Sequence, residues 1–255
     1  MALKTLHETW LRESTRVVLG EKQQQSFTVL LDCLMDTQGK MNVTAVKTAD
    51  GVVLRHFADS LSLCDIPALQ EAKTVADIGC GGGIPGLAIK IALPHMQITM
   101  IDSTEKKLRF VSRCAAQMGL QGVKVAAGRA EELSAPSQRM REAFDVVIAR
   151  AVASLDMLDE LCLPFVKKGG VFLAMKGPKV FDEVKSAQSG IAKLGGEIRE
   201  IMPVKQVLSP AQTPEEIEEL DFFLSMERYI VIIDKVKNTP HEYPRSFAKI
   251  KAHPL

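Results

Sequence analysis

Residues Thr74–Ala92, TVADIGCGGGIPGLAIKIA, place five glycines among eight consecutive positions: Gly79, Gly81, Gly82, Gly83 and Gly86. An apolar strand pattern runs into them and an apolar helical pattern runs out. Glycine adopts positive φ without strain and lets a ligand approach the main chain. Gly81, Gly83 and Gly86 satisfy the GxGxxG spacing, which alone is a weak match to a dinucleotide turn. A tight strand–helix turn with no ligand has the same spacing, so the neighbouring sequence must decide.

Outward from this turn, short apolar strands alternate with helical segments. QITMID (97–102), VKVAAG (123–128), FDVVIAR (144–150) and GVFLAMKG (170–177) read as further strands. The intervening segments carry helical periodicity, which implies parallel strands with crossover helices. EIREIMPVKQVL (197–208) and RYIVIIDKV (228–236) read as two more strands, paired antiparallel at the sheet edge. The expected fold is therefore α/β: a doubly wound, mostly parallel, seven-stranded Rossmann-like sheet. Upstream, Phe27, Leu30, Leu31, Leu34 and Met35 fall on one face of an amphipathic helix, and DGVVLRHFADSLSL (50–63) predicts a second. Residues 1–70 thus read as an N-terminal helical layer packed on the core, residues 71–236 as the ligand-binding domain, and 237–255 as a tail. Residues 235–255 hold five Lys or Arg against one acid, Glu242. With Pro240, Pro244 and Pro254, the tail is expected to be basic and irregular.

Composition narrows the function classes. A net charge of +1 over 255 residues predicts no global affinity for polyanions, so any nucleic-acid site must be a local patch. The N-terminus lacks the apolar core of a secretory signal, and no run approaches a membrane span. Five scattered cysteines without a CxxC pair argue against a disulfide framework and against a zinc site. No membrane, no metal and a cytoplasmic location are the expectations.

The acids around the turn select the cofactor. Asp77, just before the glycines, would repel a pyrophosphate but attract a cation such as the amino group of methionine. Asp102, ending the second strand, can accept from ribose hydroxyls. Acid, turn and acid suit S-adenosylmethionine; a nicotinamide cofactor would favour phosphate on the helix N-terminus. Gly79 and Gly81 lie where the backbone must approach the ligand. Glu131, in GRAEEL (128–133), is a candidate for the adenine amino group, although an acid at a helix start has its own electrostatic reason to be there. Arg150 ends the fourth strand, where a charge must find a partner. That strand end has neither the Asn/Asp-Pro-Pro-aromatic motif of exocyclic amine methylation nor a Pro-Cys nucleophile. A ring nitrogen with a free lone pair needs neither device, and positioning alone can be worth several kcal/mol.

Together these segments resemble one family. NVTAV (42–46), RHFADSL (55–61), DIGCGGGIPG (77–86), IDSTEKKLRFV (101–111), GRAEEL, IARAVASL (148–155), AMKG (174–177) and YPRSFAKIKAHPL (243–255) are similar, in order, to motifs of the bacterial small-subunit ribosomal RNA guanine-N7 methyltransferases, formerly glucose-inhibited division protein B. The resemblance runs from about residue 42 to the C-terminus. It implies methyl transfer from S-adenosylmethionine to N7 of a guanine in 16S ribosomal RNA, with S-adenosylhomocysteine as product. It also implies cofactor contacts by Gly79, Ile84, Asp102, Ser103, Thr104, Ala130, Glu131 and Arg150. Basic positions for RNA are implied at Arg129, Lys176 and Arg228, with Lys106 and the tail's Arg245 in the same group. Arg150 and Lys176 are the positioning candidates, and no general base is assigned. SPAQTPEEIEELDFFLSM (209–226) looks longer and more acidic than the family's usual strand connection. Two readings stay open beside this one: a S-adenosylmethionine enzyme acting on a small molecule or protein, and a cofactor-sensing ribosome-binding protein without transferase activity.

Overall fold

The computed structural model describes residues 3–37, 44, 46–204 and 227–255. Seven strands form one sheet: β1 (Thr74–Ile78), β2 (Gln97–Asp102), β3 (Val123–Ala127), β4 (Phe144–Arg150), β5 (Val166–Lys176), β6 (Gly196–Pro203) and β7 (Tyr229–Lys235). Their order is β3-β2-β1-β4-β5-β7-β6. The first five run parallel, and β7 runs antiparallel between β5 and β6. The chain leaves β1 toward β2 on one side and later returns to β4 on the other. Ligands of doubly wound sheets bind beyond the strand ends at such a reversal, and here the glycine turn and Arg150 both meet it.

Period-two alternation sorts the strand residues between two cores. Val75, Met100, Val146 and Ile148 pack on the face covered by the N-terminal helices, together with Leu87 and Ile89 of α6 (Gly86–Ala92) and Leu108 and Val111 of α7 (Glu105–Gln117). Ala76, Ile78, Val147 and Ala149 pack on the other face, against α9 (Leu155–Cys162), α10 (Val180–Lys193) and Ile250 of the C-terminal helix Phe247–Ala252.

The N-terminal layer contains α1 (Thr5–Glu13) and α2 (Glu21–Asp36), with Phe27, Leu30, Leu31 and Leu34 of α2 fully buried. The single helix expected over residues 50–63 is in fact a composite. An α-turn at Ala49–Val52 widens into a π-turn at Val53–Ala58, resumes at Asp59–Leu61 and tightens to 3-10 at Ser62–Asp65. The wide turn closes an i to i+5 bond from Asp59 N–H to the Leu54 carbonyl. Hydrophobic periodicity cannot register this extra residue, and such turns gather at functional sites.

The tail is irregular over 236–246, as expected, but it ends in the helix Phe247–Ala252 and is bonded to the fold. Its prolines remove N–H donors but leave carbonyls needing partners, and Arg141 supplies them, reaching the carbonyls of Thr239 at 2.7 Å, Pro240 at 3.1 Å and Tyr243 at 2.8 Å. Arg245 forks onto the fully buried Glu160 at 2.6 Å. Lys235 is buried as well, donating to the carbonyls of Leu163 and Leu194. Two of the five cations counted as a basic surface are therefore bonded into the fold, and Arg245 is one of them. The acidic stretch 209–226, and the end of the sixth strand as expected over 205–208, lie outside the described residues.

Candidate active site

The glycine turn is built around Asp77. On the α6 side of β1 this carboxylate is 1% exposed, and its Oδ2 accepts from Gly86 N–H at 2.9 Å. A Cβ on Gly86 would stand 2.6 Å from that oxygen, so the approach requires glycine. The other oxygen, Oδ1, has no partner among the described residues. Burial, the largest cause, pushes the Asp77 carboxyl up to about 7. Gly79 has φ +69°, and a Cβ there would lie 2.7 Å from Val152 Cγ2. Gly81 donates its N–H to Asp102 Oδ2 at 3.0 Å, and Thr104 N–H bonds the other oxygen at 2.8 Å. Asp102 thus holds the turn to β2 with half its acceptor capacity unused.

Two cavities open at this edge. The first, about 320 Å³, is lined by Gly79, Asp102, Ser103, Thr104, Ala130 and Glu131 of the residues expected to hold cofactor, together with Arg129. Asp77 and Gly81 do not line it but hold the turn that carries Gly79, which does. Ile84, 8% exposed, belongs to the core under the turn. Lys106 is exposed on α7, and its neighbour Lys107 lines the cavity instead. Arg129 pairs with Glu131 at 3.2 Å, and its guanidinium lies 4.2 Å over the ring of Phe247, another lining residue. The C-terminal helix therefore closes one wall of this cavity. Nothing in residue spacing linked positions 129 and 247; the aromatic in the YPRSFAKIKAHPL motif was the available signal.

The second cavity, about 430 Å³, is lined by Arg150, Lys176 and Arg228, and by Thr44, Arg55, His56, Asp59, Glu183 and Tyr229. Arg150, expected at the cofactor, lines this second cavity and lies on the same sheet face as Asp77, close enough for its charge to act on that carboxyl. It follows Val146 and Ile148 onto the face of the N-terminal layer, where it donates to Arg55 O at 3.1 Å, Asp59 Oδ2 at 3.4 Å and His56 Nδ1 at 3.1 Å. His56 Nδ1 accepts from that guanidinium, so Nε2 carries the proton toward Thr44 Oγ1 at 2.5 Å. Burial first, then the Arg150 charge, lowers His56 to about 3 and keeps the ring neutral. The π-turn is what puts the carbonyl, imidazole and carboxylate on one cation. His56 and Asp59 do not bond each other; Arg150 stands between them. Lys176 is likewise no solvated loop lysine. It is 8% exposed, donates to Ala153 O at 2.7 Å and pairs with Glu183 at 2.6 Å.

Ala151 and Ala153 line both cavities, so the few residues after β4 form the wall between them. Ala151 has φ +54°, unusual for a residue with a side chain. Cys80 is 1% exposed and burial drives its thiol well above the ordinary range, unlike a reactive cysteine. No described helix is long and apolar enough to cross a membrane.

This strand order, with a glycine turn after β1 and acids at Asp77 and Asp102, defines a Rossmann-like methyltransferase. The chain belongs to the GidB family, rRNA small subunit methyltransferase G, whose family model matches residues 23–209. It is 38% identical over 243 residues to the ribosomal RNA small subunit methyltransferase G of Clostridium novyi, covering 95% of this chain and 93% of that one. It is 39% identical over 237 residues to the protein of the same name from an Exiguobacterium species, covering 93% of each. Among solved structures, the cyclase SpnF shares the fold with a TM-score of 0.53 at 19% identity, over 86% of this chain and 97% of that one. A cyclase on the same scaffold shows that fold alone does not choose the chemistry.

Proposed function

We propose that this protein transfers a methyl group from S-adenosylmethionine to N7 of a guanine in small-subunit ribosomal RNA. Membership of the family supports the methyltransferase activity and the ribosomal RNA. The N7 atom comes from the resemblance to the guanine-N7 enzymes, and one observation supports it: across the wall that the two cavities share at Ala151 and Ala153, the described acids Asp59 and Glu183 are already paired with cations.

Three features suit the cofactor at the first cavity: the buried Asp77 Oδ1 behind the turn, with no partner among the described residues, the side-chain-free backbone of Gly79 in the lining, and the acids Asp102 and Glu131 in the same lining. Asp77 would accept from the amino group, Asp102 from the ribose and Glu131 from the adenine amine. When bound, the cofactor supplies a methyl group activated on a positive sulfonium. Guanine N7 presents a lone pair and carries no proton, so the protein need not remove one. Its residues position and exclude water instead. Arg150 and Lys176 orient the base, and each is already matched by an acid, Asp59 or Glu183. That matching matters because the methylated ring becomes cationic, and unpaired cations beside it would oppose the reaction. The major groove of an RNA helix is deep and narrow, so N7 is reached in a loop or on a splayed base.

Transfer of labelled methyl to protein-free small-subunit RNA tests this reading. Label in 7-methylguanosine is the expected result. Label in protein or small molecules, or cofactor binding without any transfer, would replace it with one of the two alternatives.

A further inference from the structure

Of the large hydrophobic side chains exposed among the described residues, four are valines and the fifth is Phe181, at 51%. Phe181 lies in the first turn of α10 and meets Tyr229 edge to face, with ring centroids 5.3 Å apart and planes at 71°. Tyr229 lines the second cavity beside Arg228 and Lys176, and exposed Lys179 precedes the pair on the surface. An exposed ring braced by a half-buried one, continuous with a cation-lined cavity, is an arrangement that can bind single-stranded nucleic acid by stacking.

We infer that Phe181, braced by Tyr229, is a stacking platform for an unpaired nucleobase next to the methylated guanine. The local charges favour a base over a phosphate. Asp182 and Glu227 are exposed beside the rings, and Tyr229 already donates to Glu227 Oε2 at 3.1 Å. An anion on the rings would face these acids, whereas a base brings an uncharged π face. The flanking phosphates then have Lys179 and the Arg228 side of the cavity. A base lifted out to present N7 also leaves its neighbour unstacked, and an aromatic face at the cavity mouth restores what that neighbour lost. The inference rests on the second cavity being the acceptor site.

The test uses the full chain and a small-subunit RNA fragment that wild-type protein methylates. Phe181 is exposed and its ring holds no core together, so Phe181→Ala, Phe181→Leu and Phe181→Trp should all fold. Ala and Leu should weaken RNA affinity by about 5- to 100-fold, with S-adenosylmethionine affinity unchanged, and Trp should restore RNA binding. A 2-aminopurine beside the target guanine should lose fluorescence on binding wild-type protein and keep it with Phe181→Leu. RNA affinity unchanged in Phe181→Ala would overturn the platform. So would Leu serving as well as Trp, or a defect confined to protein-containing subunits, which would make the patch a protein-docking face. Failure of wild-type protein to methylate RNA at all would instead remove the functional reading beneath it.

Discussion

In the proposed function, Asp77 is the residue on which cofactor binding turns. Its carboxyl sits near 7 chiefly through burial, with the Asp102 charge raising it further while Gly86 N–H and Arg150 oppose. The folded value lies above the ordinary aspartate value of about 4, so the native state holds this proton more tightly than the unfolded chain. Stability from this group therefore declines as pH rises from about 4 to about 7, then levels. Ligand binding runs the other way. A cationic amino group at Oδ1 favours the ionised form, so S-adenosylmethionine affinity should rise with pH through about 6 to 7 and flatten above. Asp77→Asn should flatten the profile and cost about 10- to 100-fold in affinity, the range of a hydrogen bond between charged groups. Calorimetry from pH 5.5 to 8 in buffers of different ionisation heat measures both the affinity and the proton released. A wild-type affinity independent of pH would take Asp77 out of the ligand's reach. At the same scale, neutral His56 and buried Cys80 should serve structure and not proton transfer. Single-turnover rates of His56→Gln and Cys80→Ala in folded protein should fall by well under the roughly hundredfold minimum of lost acid–base catalysis.

At the scale of elements, the tail and the turn are coupled through the C-terminal helix. Removing Arg245 leaves Glu160 buried without its cation, and breaking such a pair costs about 2–4 kcal/mol when one partner is partly exposed, as Arg245 is. Arg245→Ala should therefore lower the unfolding free energy from denaturant titration by that amount. Because Phe247 lies two residues on and walls the first cavity, cofactor affinity should weaken as well. A loss of RNA affinity with stability and cofactor binding intact would return Arg245 to the surface role its charge suggested. The contrast explains what was legible. Strand and helix order could be read because apolar alternation records the two sheet faces, and Gly79, Asp77 and Asp102 because a tight turn at a strand end restricts residue type. The tail was misread because Arg and Pro carry the same signals in a loose segment as in one tied down by Arg141. The Arg150 cluster was half visible: alternation along Val146, Ile148 and Arg150 fixes the face, but the π-turn that brings Arg55, His56 and Asp59 to it has no periodicity to read.

For the whole molecule, near-neutral net charge means that RNA must be held locally, and the proposed reading assigns that hold to the second cavity and its rim. Arg228→Ala should raise the KM for RNA and reduce the magnitude of the log–log salt slope by about 0.7 to 0.9 for one lost phosphate contact, leaving cofactor affinity unchanged. An unaltered salt slope would place phosphate binding elsewhere. The central claim joins both cavities into one act, methylation of a guanine ring nitrogen in small-subunit ribosomal RNA across the wall at Ala151 and Ala153. Mass mapping of methylated nucleotides in that RNA, from cells with and without this protein, tests the claim most directly. The account predicts one 7-methylguanosine that disappears with the protein and returns with the wild-type chain; an identical map in both cells, or loss of a methyl on carbon or an exocyclic amine, would contradict it.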